Sequence, residues 1–309
     1  MELHQLRYLV AVAETRSFTG ASVQCNVTQP TLSHQIKKLE EEIGEPLLQR
    51  RKKGAYLTPL GERVYRHAQE ILKGVESVRQ AATDFSQNVQ GRLKIGVIPT
   101  IAPYYLPGLI RLAQKRYPGI SFQMTEEPTE RLLASLANGS LDLAILSPPI
   151  ASDQLQLEDL FEDEFLLALP PDHFLTKVRT ISLRVLRDLP MILMNDAHCL
   201  RGQTISFCQR AGFTPQIFIQ SSQLDTVLAM VETGQGVSLV PALARHAFLH
   251  RKVVFHSLQP EKLSRKISLA WSRQATPSRA FSAFVELCQS AGKPSGVSRA
   301  PLVSRQRAR

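Results

Sequence analysis

The spacing of apolar residues changes once along the chain, close to Gly91. Before that point apolar residues recur at helical spacing, as in "LRYLVAVAE". After it, short apolar strands alternate with amphipathic helices, in the order "RLKIGVIP", "YYLPGLIRLAQKRYPG", "ISFQMTEE", "TERLLASLANGSLD" and "LAILSPP". Such alternation predicts a parallel sheet with crossover helices. The chain is therefore expected to hold a helical N-terminal unit followed by a separate α/β unit.

The α/β unit is predicted over residues 91–291 and contains a second run of the same kind. That run starts at "DEFLLALPPDH", continues through strands near "PMILMN", "QIFIQS", "GVSLVP" and "VVFHSL", and ends with "SRKISLAWS" and a closing helix. Two α/β halves that share crossing segments form a cleft between them. Such a cleft is where small ligands usually bind.

Residues 1–58 are predicted to form a helix-turn-helix followed by a hairpin that turns at Gly54. Ser17 is expected to cap the second helix and Thr28 the third, with a tight turn near Asn26 between them. Small polar groups at the start of the third helix reach base edges in such motifs, and nearby basic residues bind phosphates. The expected DNA-binding residues are Ser17, Thr28, Gln29, Pro30, Thr31, Ser33, His34, Lys37, Arg50, Arg51, Lys52 and Lys53. The alternative is an ordinary capped surface helix.

Residues 59–90 are predicted to form one long helix that links the two units. One side of it carries a mostly apolar stripe: Leu60, Val64, His67, Ala68, Ile71, Val75, Val78 and Ala82. A stripe of this length needs a partner surface, which favours a dimer.

The formal net charge of +10 is concentrated at the two ends of the chain. Residues 1–94 carry 14 Lys and Arg against 10 Asp and Glu, and residues 292–309 carry five Lys and Arg without an acid. A basic N-terminal part predicts a polyanionic partner such as double-stranded DNA. Residues 292–309 have few bulky apolar side chains and are expected to be a disordered basic tail.

No membrane partner is expected from this sequence. Its apolar runs fall short of the roughly 18 residues that span a bilayer, and the N-terminus lacks the basic head of a signal peptide. A cytoplasmic location is expected, where the four cysteines are reduced by default.

Two of those cysteines, Cys199 and Cys208, lie nine positions apart in "HCLRGQTISFC", which is predicted to be one helix. Nine helical steps separate their α-carbons by roughly 13 to 14 Å, on opposite faces. A disulfide tolerates less than about 7 Å, so joining the two sulfurs must unwind the segment. With Asn195 or Asp196 as the cap, Cys199 would lie in the first turn, where the helix dipole lowers a thiol pKa.

Two other interpretations of these cysteines start from the residues alone. Both thiols could simply be small buried hydrophobic groups, which is the commonest role of a free cysteine. A zinc site is not expected, because His198, Cys199 and Cys208 include no CxxC or HxxxH pair. No metal or other cofactor is therefore expected.

The N-terminal stretch resembles the winged helix-turn-helix of LysR-type transcriptional regulators, on "QPTLSHQIKKLE" and on "LTPLG", which opens their linker helix. The segments "YLPGLIRLAQKRYPG" and "GQGVSLVPA" are similar to their effector domain. The resemblance implies an α/β protein with a winged helix-turn-helix, a long linker helix and a two-lobed, periplasmic-binding-protein-like α/β effector domain. It further implies a dimer of dimers that binds promoter half-sites, with RNA polymerase as a partner.

Within that family, "HCLRGQTISFC" resembles the sensing segment of the members that respond to hydrogen peroxide. The resemblance implies that peroxide oxidises Cys199 and that Cys208 is the resolving thiol. It also implies a set of peroxide-binding or thiol-activating residues: Thr100, Thr129, His198, Arg201 and Arg273. Two departures from the pattern are Gly202, where an acid is usual, and Thr125, where a histidine is common.

Two other functions remain open from the sequence. A LysR-type regulator could bind a small organic effector in the cleft, with structural cysteines, or the chain could be a thiol peroxidase. Enzymatic turnover is not expected, because the chain has neither a Gly-rich phosphate loop after a strand nor a serine in a nucleophile elbow.

Overall fold

The structure is a computed structural model that describes residues 1–51, 54–84, 89–150, 152–260 and 262–292, with the backbone alone for residues 50, 51, 76, 77 and 79–84. The chain forms two compact units that divide close to residue 88. Two predicted features lie outside the described residues. They are the basic residues Lys52 and Lys53, and the predicted basic tail from residue 293 onward.

The first unit consists of three short helices, a hairpin and one long helix. Its elements are α1 (Leu3–Thr15), α2 (Phe18–Cys25), α3 (Gln29–Ile43), β1 (Leu48–Arg51), β2 (Gly54–Leu57) and α4 (Pro59–Asp84). The two predicted caps are confirmed, since Ser17 accepts from the Gly20 N–H at 3.1 Å and Thr28 from the Thr31 N–H at 3.4 Å. Asn26, with a φ of 55°, makes the left-handed turn between α2 and α3. This is a helix-turn-helix followed by an antiparallel hairpin.

The first half of the apolar stripe of α4 packs into the first unit, and parts of the second half are exposed. Leu60, Val64 and Ala68 pack into the core of the first unit, around the fully buried side chains of α1 and α3. Further along, Ile71 is 42% exposed and Val78 is 71% exposed. The second half of the stripe therefore lacks a partner within the described part of the chain.

Gly61 marks the point where α4 meets the hairpin. A β-carbon at Gly61 would lie 2.0 Å from the carbonyl oxygen of Leu47, so no larger residue fits without moving the backbone. We expect Gly61→Ala to lower the free energy of unfolding of this unit by roughly 1–3 kcal/mol, as overpacking does. Thermal unfolding measures this change.

The matched control is Gly74→Ala on the same helix. A β-carbon there meets nothing within 4 Å among the described residues. The control should raise stability by up to about 1 kcal/mol through helix propensity. Equal melting temperatures for the two variants would contradict the proposed close contact at Gly61.

The second unit is an α/β structure with nine strands and five helices among the described residues. The strands are β3 (Gln90–Val97), β4 (Gly119–Glu126), β5 (Leu143–Leu146), β6 (Leu155–Leu169), β7 (Pro190–Met194), β8 (Gln216–Ser221), β9 (Ser238–Pro241), β10 (Val254–Ser257) and β11 (Ser264–Ser272). The helices are α5 (Ala102–Arg116), α6 (Thr129–Ala137), α7 (Cys199–Arg210), α8 (Leu224–Glu232) and α9 (Arg279–Ala291). Short 3-10 turns cover Phe174–Lys177, Leu183–Asp188 and Ala242–Phe248.

The sheet is parallel only in part, which corrects the sequence prediction. Strands β3, β4 and β5 pair in parallel within a seven-stranded sheet, and β7 pairs in parallel with β8 in a separate two-stranded sheet. Strands β9, β10 and β11 all pair antiparallel with β6. The reason is the length of β6, which runs for 15 residues through the middle of the unit and offers its edges to strands returning from both halves.

Two hydrophobic cores lie along this arrangement, which gives the unit two lobes. The first core surrounds β3, β5, α5 and α9, and the second surrounds β7, α7 and α8. Strand β6 contributes residues to both cores, from Leu155 in the first to Leu169 in the second, so it passes between the lobes. Among the described residues, no helix is long and apolar enough to cross a bilayer.

Candidate functional site

Helix α7 carries both cysteines of the predicted pair, and Cys199 is its first residue. The expected cap is wrong: His198 precedes the helix, and within the described chain no side chain caps this end. The Asp196 carboxylate instead forms an ion pair with Arg201, in which Oδ1 lies 2.5 Å from Nε. Asn195 Oδ1 is buried without a hydrogen-bond partner among the described residues. The start of α7 therefore leaves its N–H groups available to the Cys199 sulfur.

The two thiols pack into different cores. Cys199 is half-buried against the first core, whereas Cys208 is fully buried in the second. Both are free, and the helix between them is unbroken. At a rise of about 1.5 Å per residue, their α-carbons lie roughly 13 to 14 Å apart, about twice the disulfide limit.

Arg265 is a buried cation that ties the first lobe to the strands between the lobes. Its side chain is 1% exposed, and it donates from Nη1 to Thr100 Oγ1 at 2.9 Å and from Nη2 to the Thr100 carbonyl at 3.1 Å. Its Nε donates to Asp163 Oδ2 at 3.1 Å. The other oxygen of Asp163 accepts the Leu243 N–H at 2.9 Å. Asp163 thus holds the Arg265 guanidinium on one side, and the guanidinium holds Thr100 on the other.

Arg265 is not among the residues predicted from the sequence, which included Arg273 instead. Arg273 is exposed, and its backbone N–H donates to the Gln154 carbonyl. Arg265 shares the inward face of β11 with Ile267 and Leu269, because alternate strand residues point the same way. A charged residue in an inward position was the available signal.

Opposing effects act on the pKa of the Cys199 thiol. Burial raises the pKa above its ordinary value, and this is the largest effect. The charge of Arg265, the neighbouring Thr129 hydroxyl and the N–H groups of Leu200 and Cys199 itself all lower it. The expected depression by the start of the helix is therefore present, but burial outweighs it.

Cys208 lacks comparable support. Burial raises its pKa to about 11, and of the groups that act on it only its own backbone opposes the shift. The thiolate is the species that attacks an oxidant. Of the two cysteines, Cys199 is therefore the one whose surroundings favour the reactive form.

Thr129 is the first residue of α6, beside the Cys199 thiol. Its hydroxyl is buried and has no hydrogen-bond partner among the described residues as they stand, although it stabilises the charged form of the sulfur. It does not cap its helix, since the N-cap position is Pro128, without a side-chain bond. A buried hydroxyl left free in this way favours a polar ligand at the same place.

His198 and Arg201 support the site differently from what the sequence suggested. Burial lowers the pKa of His198 below its ordinary value. A hydrogen bond to the Ser222 backbone and the charge of Glu126 act in the opposite direction but are smaller effects. The ring is therefore neutral near pH 7. Arg201 is paired with Asp196. The cation that acts on Cys199 is Arg265.

The pH dependence of Cys199 oxidation follows from its surroundings. Because burial holds the pKa of this thiol above its ordinary value, the thiolate is a minor species between pH 6 and pH 8. We expect the oxidation rate to rise about tenfold per pH unit over that range, in proportion to the thiolate fraction. Stopped-flow measurement with peroxide in the Cys208→Ser background reports it, and a rate independent of pH would contradict the assignment.

Most of the expected DNA-binding residues of the first unit are exposed, as far as their side chains are described. The exposed members are Ser17, Thr28, Gln29, Pro30, Thr31, His34 and Lys37, and Ser33 is half-buried. Thr19 Oγ1 donates to Gln29 Oε1 at 3.1 Å, which orients the Gln29 amide with its NH₂ group left as a donor. Lys37 lies 3.5 Å from Glu41 in a solvent-exposed pair. Arg50 and Arg51 lie on β1, where the backbone alone is described.

The two units match two family models. Residues 3–62 match the bacterial regulatory helix-turn-helix protein, lysR family, and residues 86–293 match the LysR substrate binding domain. The chain belongs to the LysR family. The helix-turn-helix of this LysR-family chain and its two-lobed α/β unit are therefore the two parts that the family models match.

Similar proteins of this family include a probable hydrogen peroxide-inducible genes activator from Mycobacterium avium. It is 36% identical over 240 residues, which cover 77% of each chain. A full-length OxyR variant from Pseudomonas aeruginosa has a TM-score of 0.76 at 30% identity, covering 97% of this chain and 100% of that one. An OxyR mutant from Corynebacterium glutamicum with hydrogen peroxide bound has a TM-score of 0.65 at 28% identity, covering 94% and 92%.

The described residues also limit metal chemistry at the site. They contain no group of three or more His, Cys, Asp or Glu side chains that could hold a metal ion. The side chains that act on the Cys199 thiol are the Thr129 hydroxyl and the buried guanidinium of Arg265, which in turn holds Thr100.

Proposed function

We propose that this LysR-family chain is a DNA-binding transcriptional regulator that senses hydrogen peroxide through Cys199. One observation carries the proposal: the Cys199 thiol lies beside a buried hydroxyl without a partner, on Thr129, within reach of the charge of Arg265. The similar proteins named for peroxide response, one of them with hydrogen peroxide bound, support the same signal.

The first step of the proposed chemistry is peroxide attack. The Cys199 sulfur attacks one peroxide oxygen, so that an S–O bond forms as the O–O bond breaks. The leaving oxygen takes the proton that the thiol has lost, and the products are a sulfenic acid and one water. The Thr129 hydroxyl and the Thr100 hydroxyl held by Arg265 are the donors proposed to bind the peroxide and stabilise the leaving oxygen.

The second step joins the two thiols. The Cys208 sulfur attacks the sulfenic sulfur, the S–S bond forms and a second water leaves. Because α7 separates the sulfurs, closing the bond requires the helix to unwind and draws Leu200 and Phe207 out of the second core. This rearrangement of residues 198–210 is proposed to change how the subunits are arranged, and with it how their DNA-binding units reach the half-sites.

The remaining parts of the proposal concern partners. The helix-turn-helix supports binding to double-stranded promoter DNA, and the exposed apolar second half of α4 supports association with another copy. We propose a dimer of dimers that acts on RNA polymerase and works in the cytoplasm, where the DNA is. The family assignment supports a regulatory and not an enzymatic role.

The test combines thiol mapping with DNA binding. Full-length protein is treated with stoichiometric peroxide, its thiols are mapped by mass spectrometry, and its footprint on the promoter of its own gene is compared before and after. A Cys199–Cys208 disulfide together with a changed footprint is the expected result. An unlinked pair after peroxide would overturn the sensing mechanism.

A further inference from the structure

Gln203 is the point at which helix α7 is tied to the first lobe. Its Nε2 donates to Ser147 Oγ at 2.9 Å and to the Pro148 carbonyl at 3.0 Å, just after β5. Ser147 is 2% exposed, and its hydroxyl donates in turn to the Lys266 carbonyl at 2.8 Å. Lys266 is next to Arg265 on β11. These hydrogen bonds therefore link the middle of α7 to β11, the strand that carries the buried Arg265.

The position of Gln203 within α7 determines which movement its two hydrogen bonds oppose. It lies four residues after Cys199 and five before Cys208, inside the segment that a disulfide must close. To bring the two α-carbons from roughly 13 to 14 Å to less than about 7 Å, the helix between them has to unwind. An unwound segment cannot keep its middle residue at the place where two hydrogen bonds hold it.

The hydrogen bonds of Gln203 do not involve the groups that act on the reacting sulfur. The groups that act on the Cys199 sulfur are Arg265, Thr129 and the backbone of Cys199 and Leu200, and Gln203 is not among them. Loss of its amide therefore removes stability from the thiol form without removing a group from the peroxide site.

We propose that Gln203 is a positioning residue that holds α7 in its thiol-state conformation and so sets how readily Cys208 reaches Cys199. This inference rests on the proposed peroxide function. Peroxide is the oxidant, the sulfenic acid on Cys199 is the intermediate, and one water leaves as the S–S bond forms. The hydrogen bonds of Gln203 are broken in this second step and not in the first.

The experiment uses full-length protein and two readouts. The dithiol–disulfide equilibrium is measured in glutathione buffers by alkylation and mass spectrometry. The rate of peroxide attack is measured separately in the Cys208→Ser background. The variants are Gln203→Leu and Ser147→Ala, singly and together, with Gln209→Leu as the matched control, an exposed glutamine on the same helix.

We expect Gln203→Leu to shift the dithiol–disulfide equilibrium about tenfold toward the disulfide. This corresponds to a reduction potential about 30 mV more negative for a two-electron couple. Ser147→Ala should shift it the same way, and the double variant should add little, because both remove one shared interaction. The rate of peroxide attack should stay within about threefold of the unaltered chain. A general loss of folding would instead move both readouts.

Three results separate the possible failures. A shift in Gln203→Leu no larger than that in Gln209→Leu would overturn the role of Gln203, as would a shift toward the thiol form. If Gln203→Leu fails to fold, the near-isosteric Ser147→Ala decides by the same criterion. If the unaltered chain forms no Cys199–Cys208 disulfide, the proposed function fails instead.

Discussion

Replacing Cys199 by Ser should abolish disulfide formation and any change in the DNA footprint on peroxide treatment. A serine hydroxyl stays protonated near pH 7 and does not reduce peroxide, so neither step can begin. The second thiol does not substitute, because Cys208 is fully buried and burial raises its pKa to about 11. The measurement is footprinting with and without stoichiometric peroxide, with the intact mass followed in parallel.

Two matched variants make that result interpretable. Cys208→Ser should stop the reaction at the sulfenic acid, seen as a gain of one oxygen in the intact mass. Cys288→Ala should respond like the unaltered chain, because Cys288 lies buried in the first core, where burial raises its pKa to about 12. A Cys199→Ser chain that kept its response would favour the other kind of LysR-family regulator, one that binds a small organic effector between the lobes.

The features that could be predicted from the sequence are those with local causes. The caps at Ser17 and Thr28 are set by side chains that bond to backbone a few residues away, which the residue types alone indicate. The separation of Cys199 from Cys208 follows from helical rise, which needs only their numbers. Each of these features depends on a segment of at most ten residues.

The features that could not be predicted from the sequence are set by residues that lie far apart along the chain. Arg265 bonds to Thr100, 165 positions away, and to Asp163, 102 positions away. The antiparallel returns of β9 and β10 depend on β6 being long enough to serve both lobes. Spacing within one segment carries no information about these choices, because each is made between segments.

Arg265→Met should both destabilise the α/β unit and slow the oxidation of Cys199. Asp163 is 0% exposed, so losing its partner leaves an unpaired buried charge, which costs about 3–5 kcal/mol of folding free energy. Oxidation should slow by about tenfold or more, because hydrogen bonds to charged groups contribute about 1.5–3 kcal/mol and Arg265 holds Thr100 in place. Chemical denaturation and peroxide kinetics at pH 7 give the two values.

The double variant Asp163→Asn with Arg265→Met separates the two effects. Neutralising Asp163 removes the unpaired charge, and the side-chain amide oxygen introduced at this position still accepts the Leu243 N–H in place of the carboxylate oxygen, so most of the lost stability should return. The oxidation rate should stay low, because the cation and its hold on Thr100 are still absent. If the rate recovers together with stability, Arg265 acts on the thiol only by keeping the lobe folded. If stability recovers alone, the charge of Arg265 and its hold on Thr100 together promote the chemistry at Cys199.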